Sequence, residues 1–273
     1  MRGENMTYLK LDEDNQIYYE YVKPENNKST FIFVNALTGN TSAWNGDIGL
    51  QISKQGYGYI AYNFRGQDKS KFEKDLVLDT ELIVSDLIKL IEHINPNKFI
   101  LVGLSIGGLY ASLAIERGIK ALGLVLVNTL RKQSSRLTWI NKTMVNAARV
   151  GGSALLMDMN MPVIASPLFL EKMEKNALNP ENYIPFNENE GVFKLMKGSL
   201  NASWDFNWGG LDLPVLVMTG HYDRVFRIPE DIDELSNQIP NCKRVEIEDC
   251  GHLIPLENPL VFSEYLIYFC KKN

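Results

Sequence analysis

The chain has 273 residues, with 28 Lys and Arg against 33 Asp and Glu, a formal net charge of −5, and 45% hydrophobic residues. That balance is ordinary for a globular protein and unlike a disordered chain. The acidic total, without long basic runs, disfavours nucleic acid and anionic membrane surfaces as partners, and the longest apolar stretch, 121–127, is too short to span a bilayer. The length fits one α/β domain carrying an insertion.

From the N-terminus, residues 1–6 lead into charged sequence and lack the apolar core of a signal peptide. Segments 16–22, 31–34, 57–62, 99–102 and 121–127 are apolar runs that read as strands, and helical patterns alternate with them. Such alternation predicts a mostly parallel sheet covered by helices. Residues 79–94 carry the helical period, with Ile83, Leu87, Leu90, Ile91 and Ile94 on one face and Asp86, Lys89 and Glu92 on the other. His93 lies off the apolar stripe and reads as a solvated histidine. Residues 109–117 read as an amphipathic helix. From about Arg131 to Gly210 the strand pattern stops, giving way to helical pieces, Pro162, Pro167, Pro180 and Pro185, and many methionines and tryptophans. Alternation resumes with strands at 214–218 and 244–247 and helices at 229–239 and 259–270. The layout predicts a core of residues 1–130 and 211–273 with a helical cap of residues 131–210, inserted where open α/β sheets bind ligands. Cys242, Cys250 and Cys270 are an odd number at no metal-like spacing. With the N-terminal segment, they point to a reducing cytoplasm.

Ser105 carries the strongest chemical signal. It lies in Gly103-Leu104-Ser105-Ile106-Gly107, after one predicted strand and before a predicted helix. A serine between strand and helix must turn sharply, so its neighbours at plus and minus two must lack bulk, and its hydroxyl is lifted clear of the sheet. A hydroxyl needs a base to become a nucleophile, and histidine is the base best poised near neutral pH. Among the three histidines, His252 stands in Cys250-Gly251-His252 between a strand and the last helix, a context His93 and His221 lack. An imidazole in this role needs a carboxylate to orient it. Asp223 follows the 214–218 strand, whereas Asp249 is a local alternative, too near His252 in sequence to reach the far ring nitrogen.

These motifs resemble the α/β-hydrolase superfamily over nearly the whole chain: the nucleophile elbow at Ser105, Gly220-x-x-Asp223 as acid loop, and Gly251-His252 with Glu257-Asn258-Pro259 as base loop. Arg65-Gly66 resembles the family's Arg-Gly-x-Gly-x-Ser turn. Some members place the acid after the strand ending near Val127, where this chain has Asn128 and Thr129. The resemblance implies an α/β-hydrolase fold with a mostly parallel central sheet and an inserted helical cap. It also implies the catalytic residues Ser105, Asp223 and His252, an oxyanion hole from the Leu37 and Ile106 N–H groups, and no metal or organic cofactor. The oxyanion loop departs from the usual His-Gly-x, reading Asn35-Ala36-Leu37-Thr38-Gly39. Its Asn resembles the start of that loop in enol-lactone hydrolases, and Ala36-Leu37-Thr38-Gly39 is similar to the corresponding run in homoserine O-acetyltransferases. The donors are backbone N–H groups, so the side-chain change leaves the chemistry possible.

The apolar side chains of the cap, Trp139, Met144, Met161 and Trp204 among them, are candidate substrate contacts for a small apolar or aromatic molecule. Arg131, Lys132 and Arg136 at the cap entrance offer charge that could attract an anionic group, but each reads first as solvated surface. The expectation is a monomer or homodimer acting on a small-molecule substrate, cleaving an ester, lactone, thioester or carbon–carbon bond beside a carbonyl. An acyltransferase using the same acyl-enzyme and a noncatalytic ligand-binding protein on the same fold are the alternatives.

Overall fold

A computed structural model of the chain describes residues 7–273; the N-terminal segment read above for targeting signals lies outside the described residues. In chain order it forms β1 (Thr7–Lys10), β2 (Gln16–Val22), β3 (Thr30–Val34), α1 (Ser42–Asn45), α2 (Asp47–Lys54), β4 (Gly58–Tyr62), α3 (Thr80–Ile94), β5 (Phe99–Leu104), α4 (Ile106–Glu116) and β6 (Gly123–Val127). There follow α5 (Ser135–Ile164), α6 (Pro167–Met173), α7 (Gly191–Ser199), β7 (Val215–Gly220), α8 (Pro229–Gln238), β8 (Cys242–Ile247), α9 (Ile254–Glu257) and α10 (Pro259–Lys272).

One eight-stranded sheet has the order β1-β2-β4-β3-β5-β6-β7-β8. Pairs β1·β2 and β2·β4 are antiparallel and the rest parallel. Strands β3 to β7 are buried along their whole length, which is why they read as continuous apolar runs. Side chains alternate between two cores. Ile32, Val34, Leu101 and Leu124 pack with Leu87 of α3 and Leu109 of α4. Phe31, Phe33, Ile100, Val102 and Val125 pack with Ile52 of α2 and Phe262 of α10. Register aligns the strand ends: Val34 sits opposite Gly103, Leu104 opposite Val127, and Val127 opposite Met218. The residues that follow, Asn35, Ser105, Asn128 and Thr219, therefore share one edge of the sheet.

Helix α3 begins where Asp79 caps it, its carboxylate accepting the Leu82 N–H at 3.0 Å. Asp86 departs from the polar face assigned to it. Its side chain is buried and receives Arg65 Nε and Nη2, each at 2.7 Å, so a bidentate pair compensates for its position under the Arg65-Gly66 turn. The helix after Ser105 likewise starts earlier than the 109–117 pattern and is buried nearly all round instead of on one stripe. Between β6 and β7 the described residues form only helices and loops. Helix α5 is broken at Gly151 (φ −140°) and Gly152 (φ +62°), and its two halves pack with α7 through Val145, Ala148, Leu156, Phe193 and Met196. No helix among the described residues is long and apolar enough to cross a membrane. Nor do they contain a group of three or more His, Cys, Asp or Glu placed to hold a metal ion.

Candidate active site

Ser105 is the hinge between β5 and α4, at φ +56° and ψ −121°, a conformation that costs a non-glycine residue about 1–3 kcal/mol and persists only when its surroundings enforce it. The enforcement is visible. Ser105 N–H donates to Val127 O at 2.8 Å and Thr129 Oγ1 donates to Ser105 O at 3.0 Å. A Cβ at Gly103 would lie 2.4 Å from the Gly108 backbone, and one at Gly107 2.3 Å from Val34 O. The spacing read from sequence thus has a steric cause: β5, α4 and β3 approach too closely for any side chain at either position.

His252 and Asp223, from the loops after β8 and β7, meet with Nδ1 2.6 Å from Asp223 Oδ2. Both are buried, at 5% and 1% exposure. The other carboxylate oxygen accepts the Phe226 N–H at 2.9 Å and the Val225 N–H at 3.3 Å. Burial pushes the Asp223 carboxyl up, but the charge and hydrogen bond of His252, the Phe226 N–H and the Arg131 charge outweigh it and hold it below the ordinary aspartate value. The pairing places a ring proton on Nδ1 and turns Nε2 into a proton acceptor. Asp249 is exposed and accepts from Asn258 Nδ2 at 3.2 Å, while His221 lies at the surface against Glu246. His93 is exposed as expected, within 3.4 Å of the Tyr19 hydroxyl.

Asn128, at the position where some members carry the acid, ties the two loops together. Its Nδ2 donates to Gly251 O at 3.1 Å and His252 O at 2.8 Å, and its Oδ1 accepts the Gly220 N–H at 2.9 Å. A carboxylate there would face two carbonyl oxygens. The acid and base loops are therefore positioned by an amide, a role the sequence pattern alone does not expose.

The loop after β3 is held by a second amide pair. Asn35 Nδ2 donates to Tyr62 O at 2.8 Å and to Gln67 Oε1 at 2.9 Å, and its Oδ1 accepts Trp44 Nε1 at 2.6 Å. Gln67 Nε2 in turn donates to Ala36 O at 2.9 Å and Leu37 O at 3.0 Å. The Leu37 and Ile106 N–H groups have no hydrogen-bond partner among the described residues, and both residues line the same cavity as Ser105 and His252.

That cavity has a volume of about 230 Å³ and a predominantly apolar wall. Met144, Met161 and Trp204 line it, joined by Val145, Leu156 and Met196. Trp139 does not: it is 77% exposed on α5. The inward stripe of that helix runs through Leu137, Met144, Val145 and Ala148, and Trp139 lies about 200° around the axis from Leu137. Of the three basic residues assigned to the surface, Lys132 pairs with Glu234 and Asp231 and Arg136 is exposed. Arg131 is 5% exposed, lines the cavity, and donates from Nη2 to Ser105 Oγ at 3.2 Å. Its burial is what the sequence reading missed, because the rings that cover it, Trp204 and Phe226, come from distant segments.

A sharp serine turn, a buried imidazole–carboxylate pair and two unpartnered N–H groups around one cavity on a mostly parallel sheet define the serine-elbow class of α/β enzymes. The family model for the α/β-hydrolase fold matches residues 29–259, and the chain belongs to that family as an α/β-hydrolase enzyme. It is similar to 3-oxoadipate enol-lactonase 1 of Acinetobacter baylyi, 23% identical over 251 residues that cover 91% of this chain and 90% of the relative. Among solved structures it is similar to an α/β-hydrolase enzyme from a Medee basin deep-sea metagenome library, with TM-score 0.85, 21% identity and 98% of each chain covered. It is also similar to the enol-lactonase of Burkholderia xenovorans, with TM-score 0.78, 22% identity, and 94% of this chain and 97% of that one covered.

Proposed function

We propose that the protein is a serine hydrolase that cleaves a small ester or lactone through an acyl-enzyme on Ser105. The observation that carries this reading is the 2.6 Å His252–Asp223 pair standing at the same cavity as Ser105. In the reaction, His252 Nε2 takes the Ser105 proton as Oγ attacks the acyl carbon, and Asp223 supports the imidazolium. The Leu37 and Ile106 N–H groups receive the developing oxyanion. His252 then returns the proton to the leaving alcohol, and a water molecule activated by the same imidazole releases the acid. In the structure Ser105 Oγ bonds to Arg131 and not to His252; contacts of this kind tighten in the substrate complex. Residues 131–210 serve as a cap that closes the apolar wall over the cleft. The names of the enol-lactonase relatives support the ester and lactone class.

The test is intact mass after treatment with a small fluorophosphonate. Wild type takes one adduct, and Ser105→Ala and His252→Ala take none under the same conditions. An adduct on Ser105→Ala, or none on folded wild type, overturns the assignment.

A further inference from the structure

Arg131 stands out in this cavity because its charge has no local partner. Among the described residues no carboxylate lies within 4.0 Å of it. Its Nε donates to Thr129 O at 3.1 Å, and Nη2 donates to Asn128 O at 2.6 Å and to Ser105 Oγ at 3.2 Å. Trp204 and Phe226 stack on the guanidinium at 4.5 and 4.3 Å. Nη1 is different. It donates to no protein atom, yet it is not sealed among the buried polar atoms without partners. The residue that carries it is 5% exposed and lines the cavity.

A buried cation without a counter-ion is costly. The cost is visible here: burial pushes the Arg131 guanidinium down to about 10, although the more distant Asp223 charge pulls it back up. Asp223 itself is occupied by His252 and two backbone N–H groups. The three backbone-directed and nucleophile-directed bonds use one edge of the guanidinium and leave a planar N–H end open. Such an end matches a carboxylate oxygen, and the rest of the wall offers no competing charge.

Resting on the reading of Ser105 as the nucleophile, the geometry points to Arg131 as the counter-ion of a carboxylate carried by the substrate. The site then takes a small ester or lactone whose acyl part bears a carboxylate. The same guanidinium reaches Ser105 Oγ, so the anion sits within a few bonds of the attacked carbonyl and not at the far end of the molecule. The cavity volume of about 230 Å³ suits such a short acid. Selectivity arises locally, against the overall charge of −5.

The experiment compares kcat/KM for monoethyl succinate and ethyl butyrate, which share the acyl chain length and differ in the carboxylate, on wild type, Arg131→Gln and Arg131→Lys. The wild-type ratio should exceed 10 in favour of the succinate ester. It should fall at least tenfold in Arg131→Gln, with Arg131→Lys between. A wild-type ratio below 1 overturns the proposal without needing a folded variant. An unchanged ratio in Arg131→Gln overturns it in favour of a purely structural arginine. Succinate binding to Ser105→Ala, followed by titration calorimetry, separates the two readings. If wild type fails to react with fluorophosphonate but Ser105→Ala binds succinate, the nucleophile assignment fails and the anion site stands. If wild type reacts with fluorophosphonate but Ser105→Ala does not bind succinate, the anion site fails and the hydrolase stands.

Discussion

Asp223 links stability to the chemistry proposed for Ser105. Its carboxyl is buried yet held below the ordinary aspartate value of 3.8, so in acid the unfolded chain takes up this proton before the native protein does. The stability it contributes is therefore present above about pH 4 and is lost as pH falls through the ordinary value toward the depressed native one. Asp223→Asn should flatten this part of the acid limb. Melting temperature, followed from about pH 5 to about pH 3, should drop more steeply in wild type than in the variant. At neutral pH the same variant should stay folded while kcat falls on the order of 10⁴-fold, because an amide neither stabilises the imidazolium nor selects the Nδ1–H tautomer. Parallel acid limbs in the two proteins would exclude Asp223 as the titrating partner. The residue scale is also where the sequence was both most and least informative. The placement of Ser105, Asp223 and His252 around one cleft was legible because each follows a strand in a recognisable local context. Arg131 was not, since a basic residue read alone belongs in solvent; its burial depends on rings that only the folded chain brings over it.

At the scale of elements, the interior strands were readable because β3 to β7 are buried on both faces and so carry unbroken apolar runs. Strand β1 went unread because it is a four-residue edge with no buried position, and α1 because it buries a single large side chain, Trp44. The support of one loop by another was equally hidden. Gln67, in the turn after β4, holds the loop after β3 by donating to Ala36 O and Leu37 O while accepting from Asn35 and the Phe64 N–H. Through Ala36 O it holds the same peptide unit that carries the Leu37 N–H. Full loss of an oxyanion donor costs about 10²–10³ in kcat. Gln67→Ala, which loosens the donor without removing it, should lower kcat by roughly 10–10² and change KM by less than about threefold. Steady-state kinetics on an accepted ester decides this. A rise in KM with kcat unchanged would mean that the loop serves ground-state binding instead.

Across the whole molecule, the segment inserted between β6 and β7 is tied to the histidine loop through backbone and not only through apolar packing. The end of α5 accepts from that loop and its neighbour: Ile164 O takes the His252 N–H at 2.5 Å and Val163 O takes the Arg224 N–H at 2.9 Å. Glu257 closes the junction from the other side. Its Oε2 accepts the Ser166 N–H at 2.8 Å and the Gly251 N–H at 2.9 Å, and its Oε1 accepts the Leu253 N–H at 3.0 Å. One carboxylate thus satisfies N–H groups on both sides of His252 and the one that opens α6. Glu257→Ala leaves three partly buried donors without a partner, a loss of about 2–3 kcal/mol, equivalent to a melting temperature lower by about 4–12 °C in a chain of this size. Because the broken bonds span the junction, the effect should not stay local. Amide exchange should accelerate at Gly251 and Leu253 and, together with them, at Ser166, while the edge strands β1 and β2 keep wild-type protection. The kinetic consequence should fall on kcat, since the loop that loosens carries His252, the base of the proposed reaction, and not the apolar wall. Faster exchange at Gly251 and Leu253 with Ser166 unaffected would show that the inserted helices and the histidine loop move independently, and would remove Glu257 as their mechanical link.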